Sequence, residues 1–407
     1  MKAIDIKKIV ALVLCVVQIE VIILGLTPFI HAKAETNEQN SGINLESESA
    51  ILMEASTGMI IYEKDADKSL APASITKIMT LILIFDAINE GKIQLTDEVT
   101  VSEHAASMGG SQVYLEAGET QNVDTMIKCI SMASANDACV AMAEFISGTE
   151  EAFVVQMNER AKGLEMKNTN FVNCCGLDAD NHHSSAKDVA IMSKELITKY
   201  PKIHDYSTVW MDTIIHSTRR GDSEFGLTNT NKLIKQYEWA TGLKTGSTSK
   251  AGCCLSATAK KNGIDLIAVV MAAPNSKTRF SEAINLLNYG FSNCYIYIDE
   301  NPIELQHVEI SGGVKNTVGC AYQKTFSYLF MNKVDNDKIM REVVYDTGLV
   351  APIDKGTQVG HVTYSIEGQT LGEVPIVTTE DIGKATFWDM VKKVAFFMVG
   401  GEKIAET

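Results

Sequence analysis

The sequence lacks the basic patches that proteins use to bind nucleic acids. No run of five or more Lys or Arg residues occurs, and 36 basic against 51 acidic residues give a formal net charge of −15. The phosphate backbone of DNA or RNA is itself negative, so a chain of this charge would be repelled by it. We therefore expect no nucleic-acid partner.

The cysteines lack the spacing of a metal site. Nine occur, but no two stand in Cys-x-x-Cys spacing, and none is combined with histidines at the spacing of a zinc site. The sequence accordingly predicts no metal ion and no cofactor. Cys174-Cys175 and Cys253-Cys254 are adjacent pairs, which rarely bridge to each other. The choice between disulfides and small buried thiols stays open.

The amino-terminal segment predicts export. Three lysines within the first eight residues precede an apolar stretch over residues 9–30, and Ala32-Lys33-Ala34 has the small-x-small pattern of a cleavage site. We expect a signal peptide over residues 1–34 and a mature chain from Glu35. Because the apolar stretch is long and contains two polar residues, an uncleaved membrane anchor is the alternative.

The stretch from Ala71 to Thr80 predicts a nucleophile at the start of a helix. Pro72 is typical of a helix start, and the apolar run over residues 78–88 is long enough for a buried helix. Ser74 and Lys77 are three residues apart and would share one face of that helix. A hydroxyl and an amine held together there form a nucleophile and a base, and free helical N–H groups attract an anionic intermediate.

Two distant motifs strengthen this hypothesis. Ser134-Ala135-Asn136 stands between two apolar helical runs, and Lys244-Thr245-Gly246-Ser247 opens a segment with strand character. Ser-x-x-Lys followed by Ser-Asp-Asn and Lys-Thr-Gly is the combination of penicillin-binding proteins and class A β-lactamases. All three elements occur here in that order, with Ala135 where the pattern has Asp.

From about residue 49 to residue 291 the chain resembles the serine-type D-alanyl-D-alanine carboxypeptidases, the low-molecular-mass penicillin-binding proteins of peptidase family S11. The segments that carry the resemblance, besides the three motifs, are Met108-Gly109-Gly110-Ser111, Asn173-Cys174-Cys175-Gly176-Leu177-Asp178, His183-Ser184-Ser185-Ala186-Lys187-Asp188 and Ala272-Ala273-Pro274. The resemblance implies acyl transfer from a peptidoglycan stem peptide ending in D-Ala-D-Ala, and covalent inhibition by β-lactam antibiotics.

The resemblance also assigns roles to single residues. It implies catalysis by Ser74, Lys77 and Ser134, and substrate binding by Asn136, Lys244, Thr245, Gly246, Ser247 and Arg279. In this scheme Ser74 attacks, Lys77 is its base and Ser134 relays the proton to the departing amine. Lys244 is a second cation that also attracts the terminal carboxylate, and Gly246 lets the substrate approach the strand. The N–H groups of Ser74 and Ser247 form the oxyanion hole.

No histidine stands in a motif that would make it the base. His182 and His183 lie in the segment over residues 167–183, which we interpret as a loop exposed to solvent. Lys77 is therefore the better candidate, and a lysine acts as a base only when its amine is neutral.

Strand patterns at both ends of the first part, with helices between them, predict an α/β sandwich with an antiparallel sheet. The family resemblance implies that this sandwich is β-lactamase/transpeptidase-like. We assign this catalytic domain to residues 35–298. Six short strand-like segments between residues 308 and 377, separated by Gly turns, predict a small C-terminal all-β domain over residues 299–378.

The last segment, residues 381–400, predicts an amphipathic helix. Phe387, Trp388, Val391, Val394 and Met398 fall on one helical face, opposite Lys392 and Lys393. Such a helix can lie in a membrane interface, and it is too short and too charged to span a bilayer. Packing on the protein itself is the alternative. With the export segment, this predicts a location at the outer face of the cytoplasmic membrane.

Three other functions share parts of this pattern. A class A β-lactamase would use a Glu-x-x-Leu-Asn motif, which is absent between Asn136 and Lys244. A catalytically silent penicillin-binding scaffold does not fit the complete set of motif residues. An endopeptidase that cuts peptidoglycan cross-links uses the same chemistry, and the sequence leaves that alternative open.

Overall fold

The computed structural model describes residues 43–398, apart from the side chain of Phe397. These residues lie within one compact unit, residues 41–407. The predicted signal peptide over residues 1–34 lies outside the described residues.

The strands of the described chain form one large sheet and several smaller ones. They are β1 (Ser49–Glu54), β2 (Ile60–Lys64), β3 (Glu98–Thr100), β4 (Thr120–Asn122), β5 (Met211–Thr218), β6 (Gly221–Thr228), β7 (Ala240–Thr248), β8 (Gly252–Lys261), β9 (Ile264–Ala273), β10 (Cys294–Ile298), β11 (Val308–Glu309), β12 (Thr317–Val318), β13 (Cys320–Tyr322), β14 (Ser327–Met331), β15 (Ile339–Tyr345), β16 (Gln358–Ile366) and β17 (Gln369–Thr378).

The α-helices lie mainly between β2 and β7. They are α1 (Lys77–Asn89), α2 (Glu103–Ala106), α3 (Val123–Lys128), α4 (Asn136–Ser147), α5 (Glu150–Gly163), α6 (Ala186–Lys199), α7 (His204–Ser207), α8 (Leu233–Gln236), α9 (Ser276–Asn293) and α10 (Phe387–Met398).

The central sheet is antiparallel, with five strands in the order β2-β1-β9-β8-β7. Side chains alternate between its two faces, as the period of two along a strand requires. Ile51 and Met53 face the core that contains α1, whereas Ala50 and Leu52 face the core that contains α9. Helices therefore cover both faces, and the predicted α/β sandwich is confirmed.

Helix α1 is the centre of the larger core. Ten of its 13 residues are buried, and it packs against α4, α5 and α6. A helix that is apolar on all sides is stable only when other elements surround it, which is the situation here. The Ser74–Lys77 motif at its amino-terminal end is consequently attached to a helix that is buried on nearly all sides.

A hairpin of β5 and β6 is larger than the sequence suggested. The alternation over residues 210–216 is typical of a strand, and β5 spans residues 211–218 and pairs along its whole length with β6. The second strand has no alternation of apolar and polar residues, and most of its residues are exposed. Its pattern therefore gave no strand signal, because pairing with β5 and not burial fixes its conformation.

The predicted C-terminal all-β domain is confirmed. Its main sheet has the order β13-β17-β16-β15, over a core that includes Val362, Tyr364 and Ile376. Inside it the buried carboxylate of Asp299 accepts hydrogen bonds from Tyr364 Oη at 2.8 Å and from Arg341 Nη1 at 3.1 Å. The all-β fold begins at once where α9 ends, since β10 starts at residue 294 and pairs with β14.

Helix α10 begins at Phe387, six residues later than the amphipathic segment predicted over residues 381–400. Thr386 is the residue just before the helix. Its N–H and its hydroxyl both donate hydrogen bonds to the Asp389 carboxylate, which caps the start of the helix. Ile382 is buried in a small apolar cluster of the β domain, so the residues just before the helix belong to that domain. No helix within residues 43–398 is long and apolar enough to cross a bilayer.

Candidate active site

Ser74 lies in a single turn of 3-10 helix, Ala73–Thr76, which leads directly into α1. The prediction put Ser74 in the first α-helical turn, and the tighter 3-10 turn takes that place. It still brings the two side chains of the motif together, because Lys77 Nζ donates a hydrogen bond to Ser74 Oγ at 3.1 Å.

Two further acceptors fix the amine of Lys77. Its Nζ lies 2.6 Å from Asn136 Oδ1 and 2.7 Å from the carbonyl oxygen of Cys175, and the side chain is fully buried. Each of the three hydrogens of an ammonium group therefore has a partner. The amine joins the start of α1, the start of α4 and the loop over residues 167–183.

Ser134 occupies a strained backbone position between two helices. The chain leaves α3 through a π-helical turn, Cys129–Ala133, and Ser134 then takes φ 61° and ψ 33°. This left-handed conformation is uncommon for residues other than glycine and is frequent at functional sites. It reverses the chain, so that Asn136 opens α4 and donates through Nδ2 to the Gly109 carbonyl at 2.6 Å.

Lys244 projects from β7 towards Ser134. Its Nζ donates to Ser134 Oγ at 2.8 Å and to the carbonyl of Thr245 at 3.1 Å, and its side chain is buried. Burial, and next the positive charge of Lys77, hold the pKa of Lys244 well below its usual range. Lys244 and Ser134 therefore form a second lysine–serine pair beside the first.

Gly246 has a structural role that the sequence did not reveal. A Cβ at this position would lie 2.9 Å from the Pro72 carbonyl oxygen and 3.0 Å from the N–H nitrogens of Ser74 and Ile75. The absence of a side chain thus lets β7 lie against the turn that carries Ser74. We expected Gly246 to admit the substrate backbone. In the structure, the side of Gly246 on which a Cβ would lie faces the protein's own turn Ala73–Thr76, which carries Ser74.

Arg279 reaches the end of β7 from the first turn of α9. Its Nη1 donates to Ser247 Oγ at 2.9 Å and to the Gly246 carbonyl at 3.1 Å. Its Nε is buried and has no partner within the described residues. A guanidinium beside an exposed hydroxyl, as Arg279 lies beside Ser247, can bind a carboxylate. Thr245 directly precedes Gly246 in β7, and its hydroxyl donates to Thr230 Oγ1 at 2.8 Å.

His182 is buried, so its interpretation as part of a solvent-exposed loop is wrong. Its Nδ1 accepts a hydrogen bond from the N–H of Val172 at 3.0 Å, which leaves Nε2 to donate to Thr76 Oγ1 at 2.8 Å. Burial lowers the pKa of His182 to about 4, so the ring is neutral at neutral pH. This neutral ring joins the loop to the residue next to Lys77.

Gly176 is a further residue to which sequence reasoning gave no role. Its φ is +84°, and a Cβ would lie 1.9 Å from the carbonyl oxygen of Ala73, just before Ser74. Only a glycine fits so close to the nucleophile turn. The sequence feature that could have identified this role is the position of Gly176 in Asn173-Cys174-Cys175-Gly176, one of the segments that carry the family resemblance.

The structure thus brings the predicted site residues to one place. The Ser74–Lys77–Asn136 group, the Ser134–Lys244 pair and the Ser247–Arg279 pair surround the end of β7, and Gly246 joins β7 to the nucleophile turn. A serine in contact with a buried lysine, in an α/β sandwich of this kind, is the arrangement of a serine-type peptidase.

Comparisons with known proteins agree. Residues 33–275 match the model of the S11 peptidases, D-alanyl-D-alanine carboxypeptidase, and residues 297–384 match that of the C-terminal domain of penicillin-binding protein 5. The chain belongs to the S11 family of serine-type D-alanyl-D-alanine carboxypeptidases, so the resemblance seen in its motifs is confirmed.

Individual relatives cover nearly the whole chain. The D-alanyl-D-alanine carboxypeptidase DacF of Bacillus subtilis strain 168 is 40% identical over 376 residues, 92% of this chain and 95% of that protein. DacA of Escherichia coli K12 is 32% identical over 357 residues, 85% and 86% of the two chains. The crystal structure of penicillin binding protein 5 from Haemophilus influenzae is similar with a TM-score of 0.68 and 30% identity, covering 84% of this chain and 99% of that one.

We expect Gly176→Ala to impair catalysis far more than Gly118→Ala. The two glycines have nearly the same φ, +84° and +83°, but nothing lies within 4 Å of a Cβ on Gly118. Both variants should lose about 1 kcal/mol from left-handed strain. Only Gly176→Ala should also displace Ser74 and lower kcat/KM for D-Ala release, by roughly 100-fold for a shift of the order of 1 Å. Urea unfolding and D-Ala release measure the two effects, and equal losses of activity would contradict this role.

The lowered pKa of Lys244 predicts a pH-dependent stability. Between that lowered pKa and the usual lysine pKa of about 10.4, the unfolded chain binds one more proton at this side chain than the folded chain. The free energy of unfolding should therefore rise with pH in this window, by up to about 1.4 kcal/mol per pH unit from this group.

Lys244→Met should remove that contribution, since methionine cannot bind the proton. Lys250→Met is the matched control, because Lys250 is exposed in the turn after β7. Urea unfolding of the three proteins between about pH 6 and pH 9 measures the slopes. A Lys244→Met protein with the wild-type slope would show that Lys244 is protonated when folded.

Proposed function

We propose that the protein removes the terminal D-alanine from peptidoglycan stem pentapeptides through an acyl-enzyme on Ser74, and that penicillin inhibits it by acylating the same hydroxyl. The observation that carries this proposal is the contact between Ser74 Oγ and the buried Nζ of Lys77. The family's activity, release of D-alanine from D-Ala-D-Ala, is the reaction that such a pair performs by nucleophilic attack.

The partners of Lys77 support its role as the base. A neutral amine has two hydrogens and one lone pair, and Asn136 Oδ1 and the Cys175 carbonyl are acceptors for those two hydrogens. The lone pair is then left for the remaining partner, the hydroxyl of Ser74. In this state Lys77 takes the proton as Ser74 Oγ attacks the carbonyl of the penultimate D-alanine.

The second pair would deliver a proton to the leaving group. Ser134 Oγ bonds to Lys244, whose pKa is held below its usual range by burial, so Lys244 can lie neutral beside the Ser134 hydroxyl. Ser134 donates to the nitrogen of the departing D-alanine as the peptide bond breaks, and the proton that Lys77 accepted from Ser74 is returned to Ser134. Water then attacks the acyl-enzyme and releases the shortened peptide.

The free edge of β7 is suited to bind the peptide. Among the described strands β7 pairs only with β8, so its other edge can accept an extended peptide as an added strand. The N–H groups of Ser74 and Ser247 would then bind the oxyanion. We assign the terminal carboxylate mainly to Arg279 and the Ser247 hydroxyl, because Lys244 is already engaged with Ser134.

We further propose that the mature protein works at the outer face of the cytoplasmic membrane and binds it through α10. Phe387 and Trp388 are 74% and 70% exposed, and no other part of the described chain covers them. Lys393 turns to the β domain, where its Nζ donates to the Gly313 carbonyl at 2.8 Å. This contact supports an orientation in which the apolar face points outwards, ready for an interface.

We expect Ser74 to carry the covalent adduct after penicillin treatment. Peptide mass spectrometry should find the adduct on the peptide that contains Ser74, and Ser74→Ala should abolish it. An adduct that persists in Ser74→Ala would exclude Ser74 as the nucleophile.

Lys77→Arg should lose acylation almost completely, because a guanidinium keeps its charge but cannot accept the proton. Lys128→Arg, which changes a lysine on α3, is the control and should react at the wild-type rate. Penicillin labelling kinetics measure both variants, with folding checked by circular dichroism. Rapid labelling of Lys77→Arg would refute a lysine base.

The membrane proposal is tested with protein that starts at Glu35, because an uncleaved export segment would itself bind membranes. Binding to phosphatidylglycerol-containing vesicles should be lost on truncation after Thr386, which keeps the buried Ile382 in place. Trp388→Glu should weaken binding several-fold. Val155→Glu, at a 58% exposed position of α5, is the control and should bind normally. D-Ala release from soluble peptides should not change, and a Glu35 protein that does not bind vesicles would overturn the proposal.

A further inference from the structure

Three buried thiols lie close together next to the candidate active site, and the proposed reaction does not use them. Cys174 and Cys175 are adjacent in the loop over residues 167–183, and their Sγ atoms are 3.5 Å apart. Cys139 extends from α4 to within hydrogen-bonding reach of the Cys175 thiol. All three side chains are buried. Adjacent cysteines need a turn to bring both sulfurs to one side, so this arrangement depends on the conformation of the loop.

A side chain of the loop itself fixes that conformation. Asn173 Oδ1 accepts hydrogen bonds from the N–H groups of Cys175, Gly176 and Leu177, at 3.2, 2.7 and 3.1 Å. The two thiols are thus held in position before anything binds. Such preorganisation lowers the entropic cost of binding a ligand.

Glu150 completes the group with an oxygen ligand. Its Oε1 accepts from the N–H of Cys174 at 3.0 Å, and its ligand oxygen and the sulfurs of Cys174 and Cys175 all lie within 4.8 Å of one another. The carboxylate also contacts Nε2 of His104 at 3.2 Å, and His104 is about half exposed. The Glu150–His104 side of the group is therefore the one that an ion would approach from solvent.

We propose that Cys174, Cys175 and Glu150 bind a thiophilic divalent cation such as Zn²⁺ or Cd²⁺, with the fourth coordination position open to solvent. Two sulfurs bound to zinc at about 2.3 Å in tetrahedral geometry are about 3.8 Å apart, close to the separation of the two thiols here. The cysteines bind as thiolates and release their protons to solvent as the ion enters. No oxidation or reduction takes place.

The site adjoins the catalytic machinery through the backbone. The carbonyl of Cys175 accepts the hydrogen bond from Lys77 Nζ, and the Sγ of the same residue lies 3.5 Å from the Asn136 carbonyl. Ligation of Cys175 would replace the second contact and shift the first. We therefore infer that an occupied site slows D-Ala release. This second part rests on the proposed role of Lys77, whereas the binding itself does not.

The binding is tested on the reduced, metal-free protein by titration with Cd²⁺ alone, followed by the thiolate-to-cadmium charge-transfer absorption. We expect saturation at one ion per chain and displacement of the Cd²⁺ by Zn²⁺. Cys174→Ser and Glu150→Gln should each weaken binding at least about tenfold. Cys320→Ser, which removes a partly exposed thiol in β13, and Glu151→Gln, next to Glu150 in the first turn of α5, are matched controls that should bind like wild type.

The outcomes separate the two parts of the inference. Absence of a saturable thiolate band in the wild-type protein, or equal weakening in Cys320→Ser, would overturn the site without bearing on Ser74 or Lys77. For the coupling, Zn²⁺-saturated wild type should release D-alanine at least about tenfold more slowly than the metal-free protein. Cys174→Ser should be unaffected by the same Zn²⁺ concentration. Unchanged release by the saturated wild type would overturn the coupling.

Discussion

The candidate active site depends on the hydrogen bonds that hold the buried amine of Lys77. Its three partners come from three separate parts of the chain: Ser74 from the turn before α1, Asn136 from the start of α4, and Cys175 from the loop over residues 167–183. An amine in a protein interior is tolerated only when its hydrogen bonds are satisfied. The same contacts that make the burial possible also set the orientation of Ser74 and Lys77, the proposed nucleophile and base.

A second buried lysine imposes a further constraint. Lys244 is placed by β7 next to Ser134, and burial together with the charge of Lys77 disfavours its protonated form. The positive charge of Lys77 therefore acts on the second serine–lysine pair through Lys244.

The loop over residues 167–183 supports the site from below without supplying a catalytic side chain. The Cys174 carbonyl accepts from Thr80 Oγ1 at 2.6 Å, and the ring of His182 bonds to Thr76. Gly176 allows the loop to approach the carbonyl of Ala73. The same loop holds the thiols proposed to bind a cation. Binding of a cation to these thiols would therefore act directly on the turn that carries Ser74.

The sequence by itself determined the features that depend on neighbouring residues and on motif order. A spacing of three places Ser74 and Lys77 on one side of a helical turn, and a period of two assigns the faces of β1, because both rules follow from local backbone geometry. Asn262-Gly263 is a further local signal, because both residue types tolerate the positive φ that a tight hairpin requires and that both adopt between β8 and β9. The order of the motifs indicated the family.

Only the tertiary structure decided which distant residues meet. Lys77 and Asn136 are 59 positions apart, and Ser134 and Lys244 are 110 apart, so no local rule sets their distances. The buried ring of His182 bonds to Thr76, 106 positions away, and the polar strand β6 exists only because β5 pairs with it. The thiol cluster combines a loop with α4 and α5, which is why cysteine spacing along the chain gave no sign of it. Such contacts are fixed when the sheet and helices pack, and packing is a property of the whole chain.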